Sequence, residues 1–99
     1  MDSKAMRAKA IISEVLNQAI YIPGSRFGVV CRTNGVVERQ IEEAIEQLKG
    51  RDYWNYESKN QGRLINFDNG SVVVFIHTGR VKEGKYRGYK LFDEGDYPG

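Results

Sequence analysis

An α/β sandwich, a small mixed β-sheet with two helices in the order α-β-α-β-β-β, is the fold class this 99-residue chain predicts. Three observations carry the prediction. Two stretches, Ser3 to Ile20 and the run from the Thr33-Asn34-Gly35 turn to about Lys49, repeat apolar residues at helical spacing. Two other runs, Phe27 to Cys31 and Val72 to Ile76, are apolar without clean alternation, as strands covered on both faces of a parallel sheet are. Asn69-Gly70 stands between two strand-like arms and marks a hairpin of type I′. Helices and strands that must bury one another's apolar faces give a layered α/β domain.

The first helix presents Ala8, Ile12, Val15, Leu16 and Ala19 on one stripe, with Lys9, Ser13, Asn17 and Gln18 off it. Ile11 and Ile20 widen that stripe to the breadth needed for packing on a sheet, and Asp2 or Ser3 is placed to cap the first turn. Tyr21-Ile22-Pro23-Gly24-Ser25 ends it, because a residue before proline avoids helical geometry. Arg26 to Arg32 is the first strand. In the second helix Val37, Ile41, Ala44, Ile45 and Leu48 share a face, Glu38, Glu42, Glu43 and Glu46 occupy the rest, and Gly50 closes the end. Arg51 to Gln61 is polar and irregular except for Tyr53-Trp54-Asn55-Tyr56, open to three readings: a short strand, a lid, or a stacking platform for bases. In the hairpin, Leu64 to Asp68 alternates and belongs nearer an edge, whereas Ser71 to Ile76 belongs at the centre. Tyr89 to Phe92 is the last strand.

Composition narrows the class. A chain of 99 residues makes one domain and buries roughly two thirds of its unfolded surface, enough for a core without disulfides or a structural metal. A net charge of +2 is too small to argue for nucleic acid, so the distribution of charge matters more than its sum. The lone Cys31 forms no internal disulfide and, within an apolar run, reads as a buried thiol. No apolar window approaches the ~20 residues of a membrane span, and Met1-Asp2-Ser3-Lys4 leads into a charged helix in place of a signal peptide. A cytoplasmic protein without a membrane partner is expected.

Chemistry-bearing residues concentrate near the C-terminus. Gly79-Arg80-Val81-Lys82-Glu83-Gly84-Lys85 fits the first seven positions of the phosphate-loop pattern G-x-x-x-x-G-K-[ST]. Tyr86 then replaces the magnesium hydroxyl, and the sequence returns to a strand without the helix whose N-terminus would hold phosphate. The same segment is a basic loop: Arg80, Lys82, Lys85, Arg87 and Lys90 oppose one acid, Glu83, with Tyr86 and Tyr89 interleaved. That composition suits phosphate-backbone contact with DNA or RNA, and equally a solvated loop. Asp93, Glu94 and Asp96 form an acidic cluster able to offer magnesium one or two carboxylates, or simply a solvated tail. His77, the only histidine, has no sequence neighbour suited to a zinc site or a serine-type triad.

The order of these pieces resembles the central part of the ATPase domain of phage terminase large subunits, and more loosely DEAD-type helicases. Phe27-Gly28-Val29-Val30-Cys31-Arg32-Thr33-Asn34 before a helix resembles the family's strand ending in Arg-Thr or Pro-Thr. Ile65-Asn66-Phe67-Asp68-Asn69-Gly70-Ser71 is similar to its leucine-x-asparagine-glycine-serine hairpin, and Arg87-Gly88 ahead of Leu91-Phe92-Asp93-Glu94 to its arginine-glycine and Walker B pair. The resemblance implies part of a P-loop NTPase core and a phage origin. It implies that Asp93 orders magnesium and Glu94 positions the attacking water. The family's phosphate loop and the strand before it, which would precede the first helix, are absent from the sequence, and Lys90 interrupts the Walker B strand. Phosphoryl transfer depends on positioning and charge neutralisation by that loop.

The expected function is therefore binding by a non-catalytic, terminase-like domain. Its ligand would be nucleic acid on the basic loop, or a protein partner or second copy on an open sheet edge, with no cofactor required. Two alternatives remain: a magnesium-dependent nuclease or nucleotide hydrolase using Asp93, Glu94 and Asp96, and a host-takeover inhibitor that presents the same scaffold to a host protein.

Overall fold

The computed structural model describes residues 3–59, 62–81 and 86–93, the side chains of residues 3–8, 59, 80 and 93 excepted. Its elements are α1 (Ser3–Tyr21), β1 (Arg26–Cys31), α2 (Asn34–Leu48), β2 (Trp54–Lys59), β3 (Gly62–Phe67), β4 (Val72–His77), α3 (Thr78–Val81) and β5 (Lys90–Asp93). The five strands form one mixed sheet in the order β2-β3-β4-β1-β5. β1 lies parallel to both β4 and β5, and the two pairs on the other side of the sheet, β2 with β3 and β3 with β4, are antiparallel. The α/β class and both long helices are as the sequence predicts. The order gains a strand, β2, and a helical turn, α3.

Both long helices cover one face of the sheet. Ile12, Val15, Leu16 and Ala19 of α1 and Val37, Ile41, Ala44 and Leu48 of α2 meet Phe27, Val29, Cys31, Ile65, Phe67, Val73 and Phe75 in one cluster. Each fully buried valine, leucine, isoleucine or phenylalanine in it contributes roughly 1.5–3 kcal/mol relative to exposure. The helices are tied together at their rim, where Ser13 Oγ donates to Gln47 Oε1 at 2.9 Å. Thr33, extended at φ −134° and ψ 162°, caps α2 by accepting the Val36 N–H at 3.1 Å.

The opposite face carries a smaller cluster of Val30, Val74 and Ile76, covered by Val81 of α3 and by Tyr86 and Tyr89. α1 itself is closed by the hairpin. The Asn69 amide donates to the Ala19 carbonyl at 2.9 Å and to the Ile20 carbonyl at 3.0 Å, satisfying two acceptors that a helix end leaves open.

That hairpin corrects the type I′ expectation. A I′ turn needs positive φ at both central residues, and among the described residues only glycines have it, Gly70 at +88° included. The loop is Asp68-Asn69-Gly70, with Gly70 N–H donating to the Phe67 carbonyl at 3.0 Å and Phe67 N–H to the Ser71 carbonyl at 2.9 Å. This is a type I turn followed by a glycine bulge. The extra residue is what the core demands. A two-residue loop would pair Ile65 with Val74, on the face away from the helices. The bulge pairs Ile65 with Val73, and both then point into the main core.

Candidate functional site

Two regions gather the residues that sequence singles out. The first is the carboxyl end of the three parallel strands. β5 pairs with β1 so that Asp93 lies opposite Val30, and Cys31 lies opposite His77. Arg32 and the Thr33 cap of α2 follow β1 at that end, and Thr78 opens α3 there. Open α/β sheets bind ligands at this end because the loops diverge there. The His77 ring accepts the Gly79 N–H on Nδ1 at 3.3 Å, which leaves Nε2 for the proton when the ring is neutral. Glu94 and Asp96 lie outside the described residues. Among the described residues no three His, Cys, Asp or Glu side chains converge as a metal site.

The second region is the approach to β5. Tyr86 and Tyr89 meet edge to face with ring centroids 5.5 Å apart and planes at 88°. The guanidinium carbon of Arg26, from the start of β1, lies 5.9 Å from the Tyr89 ring centroid. Arg87 is exposed in the turn between the tyrosines. Both rings are half-buried over the Val30, Val74 and Ile76 cluster. Only the ring surface left open by that cluster and by Arg26 is available to a base, and Arg26 and the exposed Arg87 supply positive charge for phosphates.

The structure divides the predicted basic set. Arg87 belongs with the tyrosines. Lys90 turns to the helix-covered face, where its Nζ lies 5.4 Å from the Phe92 ring centroid, so it does not join them. Lys82 and Lys85 lie outside the described residues, and so does the Arg80 side chain, whose backbone is in α3. Gly79, Arg80 and Val81 form a helical turn directly after β4, so the segment with phosphate-loop spacing begins as helix. Arg26 is the member that sequence reasoning misses. Its only signal is the register of β1 on β5, which places Phe27 beside Lys90 and hence Arg26 beside Tyr89.

The aromatic run before β3 serves the core. Tyr53 stacks on Phe67 at 6.4 Å, and Trp54 is packed on the main cluster with its Nε1 donating to the Leu48 carbonyl at 2.9 Å. Of the three readings of this run the strand holds, since Trp54, Asn55 and Tyr56 lie in β2. Cys31 is fully buried and its thiol approaches the Val29 carbonyl at 3.8 Å, as a structural cysteine should. A depression of about 280 Å³ lined by Ile20, Tyr53, Phe67, Asp68 and Asn69 sits at the end of the sheet away from Asp93. No helix among the described residues is long and apolar enough to cross a membrane. Comparison with protein-family models, with curated proteins and with solved structures yields no match.

Proposed function

We propose that this chain is a terminase-like α/β domain that binds single-stranded DNA or RNA without hydrolysing nucleotide, through Arg26, Tyr86, Arg87 and Tyr89. The arrangement that carries this reading is Arg26 on the Tyr89 ring beside the Tyr86–Tyr89 pair. Arg80, Lys82 and Lys85 extend the positive charge along the same segment in sequence. Stacking on such rings contributes ~1–3 kcal/mol per base and tolerates any sequence, while each phosphate contact adds salt dependence. The test is fluorescence anisotropy of a labelled oligothymidylate against salt. The wild type should bind with a negative log–log slope. Alanine at Arg26 and Arg87 should each flatten it by about 0.7 for a lost single-strand contact, and alanine at Arg80, Lys82, Lys85 and Arg87 together should flatten it further. Binding that ignores salt, or no binding to single or double strands, removes the proposal.

A second reading is favoured by the position of Asp93 at the carboxyl end of β5, beside β1. A magnesium-dependent nuclease or nucleotide hydrolase would place its carboxylates there, with Asp93 and Glu94 as the acting pair and Asp96 near by. Hydrolysis of DNA, RNA or ATP with magnesium or manganese that Asp93→Asn abolishes would establish it. Equal rates for the two proteins would exclude it.

A further inference from the structure

We propose that β2 is a docking edge for a second copy of this chain: two β2 strands pair antiparallel about a two-fold axis at Tyr56, making one sheet that runs through the dimer. This inference does not depend on the nucleic-acid reading. It starts from which backbone groups β2 leaves open. Phe67 directs both its N–H and its carbonyl towards β4, through the bonds to Ser71 and Gly70, whereas the Asp68 N–H donates to the Tyr53 carbonyl at 2.9 Å, towards β2. Alternation along the strand then turns the polar groups of Asn66 and Leu64 to β2, onto their register partners Asn55 and Glu57. The backbone groups of Trp54, Tyr56 and Ser58 consequently face outward along the edge.

Among the described residues that edge is lightly guarded: the strand includes the charged residues Glu57 and Lys59, but no described element covers it. β2 is six residues long, holds no proline or glycine, and pairs with β3 residue for residue without a bulge. Such an edge is a template for another strand. The side chains suit a second copy in this register. With the axis at Tyr56, Trp54 pairs with the partner's Ser58, Tyr56 with the partner's Tyr56, and each pair joins two residues whose backbone groups face out. Asn55 then stands opposite the partner's Glu57. A carboxylate accepts several hydrogen bonds, so Glu57, which already takes Asn66 Nδ2 at 3.1 Å, can take the partner's Asn55 amide as well. An axis one residue on, at Glu57, would set two carboxylates directly opposite each other, which is destabilising. The Tyr56 rings, 38% exposed, would cover each other at the axis.

Light scattering after gel filtration, and sedimentation equilibrium, read the result. The wild type should give twice the monomer mass of 11.3 kDa as concentration rises. Asn55→Lys places a cation opposite the partner's Glu57 and should lower the dimer dissociation constant at least about threefold, while Asn55→Glu should raise it by about tenfold or more. Tyr56→Pro removes an outward N–H and should leave a folded monomer, with circular dichroism reporting the fold. If Tyr56→Pro does not fold, the opposed Asn55 pair decides alone. A wild-type protein that stays monomeric up to about 1 mM overturns the proposal. So does a dimer whose affinity is the same in Asn55→Lys and Asn55→Glu, since it would form through another surface.

Discussion

Gly28 and Leu91 face each other in register on β1 and β5, and a β-carbon on Gly28 would lie 2.7 Å from Leu91 Cδ2. The other neighbours of that position, Ile76 Cδ1 at 3.6 Å and Val74 Cγ1 at 3.7 Å, are at ordinary contact distance. One side chain alone therefore makes glycine fit best. Leu91 is 41% exposed, so its tip has room to swing outward. Gly28→Ala should cost about 1 kcal/mol, the strain of one displaced rotamer. In a Leu91→Ala background the same substitution should be neutral or stabilising. Urea unfolding of the four proteins gives the coupling directly, and an additive result would mean that the strands do not meet this closely.

Asn69 joins the hairpin to α1 with both ends of its amide: the nitrogen serves the Ala19 and Ile20 carbonyls, and the oxygen accepts the Ser71 N–H at 2.9 Å. Asn69→Ala should lose about 1–3 kcal/mol, because it strands these groups in a partly buried corner. Asn69→Asp keeps the acceptor for Ser71 but aims a carboxylate at two carbonyls. It should be at least as destabilising as alanine above neutral pH and should recover part of the loss when acidified enough to protonate the new side chain. Thermal melts across pH check both the order and the recovery.

Arg63 donates to the Tyr56 hydroxyl at 2.7 Å and bridges to Glu38 at the start of α2. The Tyr56 hydrogen bond first, and the Glu38 charge after it, raise the guanidinium above its ordinary value. A raised folded value supplies stability that is complete below the unfolded value and lost only as pH rises through the folded one. Both values lie at strongly alkaline pH, so the stability difference between wild type and Arg63→Met should stay constant from about pH 6 to pH 8. Chemical denaturation across that range tests it. A difference that collapses near neutrality would assign the effect to another group.

The helices were legible because their apolar residues recur at a spacing that no strand shares; Ile12, Val15, Ala19, Val37, Ile41 and Ala44 are all buried where the periodicity puts them. The buried Gln40 has no such signal. β2 was harder to read. Trp54-Asn55-Tyr56-Glu57 does alternate, but Tyr53 beside it breaks the pattern, and polar Asn55, Glu57 and Ser58 look like loop residues. The hairpin position was plain and its turn type was not, since Asn-Gly fits two geometries and only the burial of Ile65 with Val73 selects the bulged one. The basic-aromatic site was half visible. Tyr86, Arg87 and Tyr89 are close in sequence, whereas Arg26 reaches them only because β1 and β5 are neighbours.

The position of β1 between β4 and β5 sets the timetable by which this chain can fold. β1 is made early, together with both long helices, yet each strand that pairs with it belongs to the second half of the sequence. While the chain leaves the ribosome, Val29, Val30 and Cys31 have helices to one side and no ladder on either edge. Closing such distant pairings costs loop entropy before any bond repays it, which slows folding. The N-terminal half must therefore wait, apolar and unpaired, until β4 has been synthesised. Until then its apolar strand edges are open to pairing with other chains.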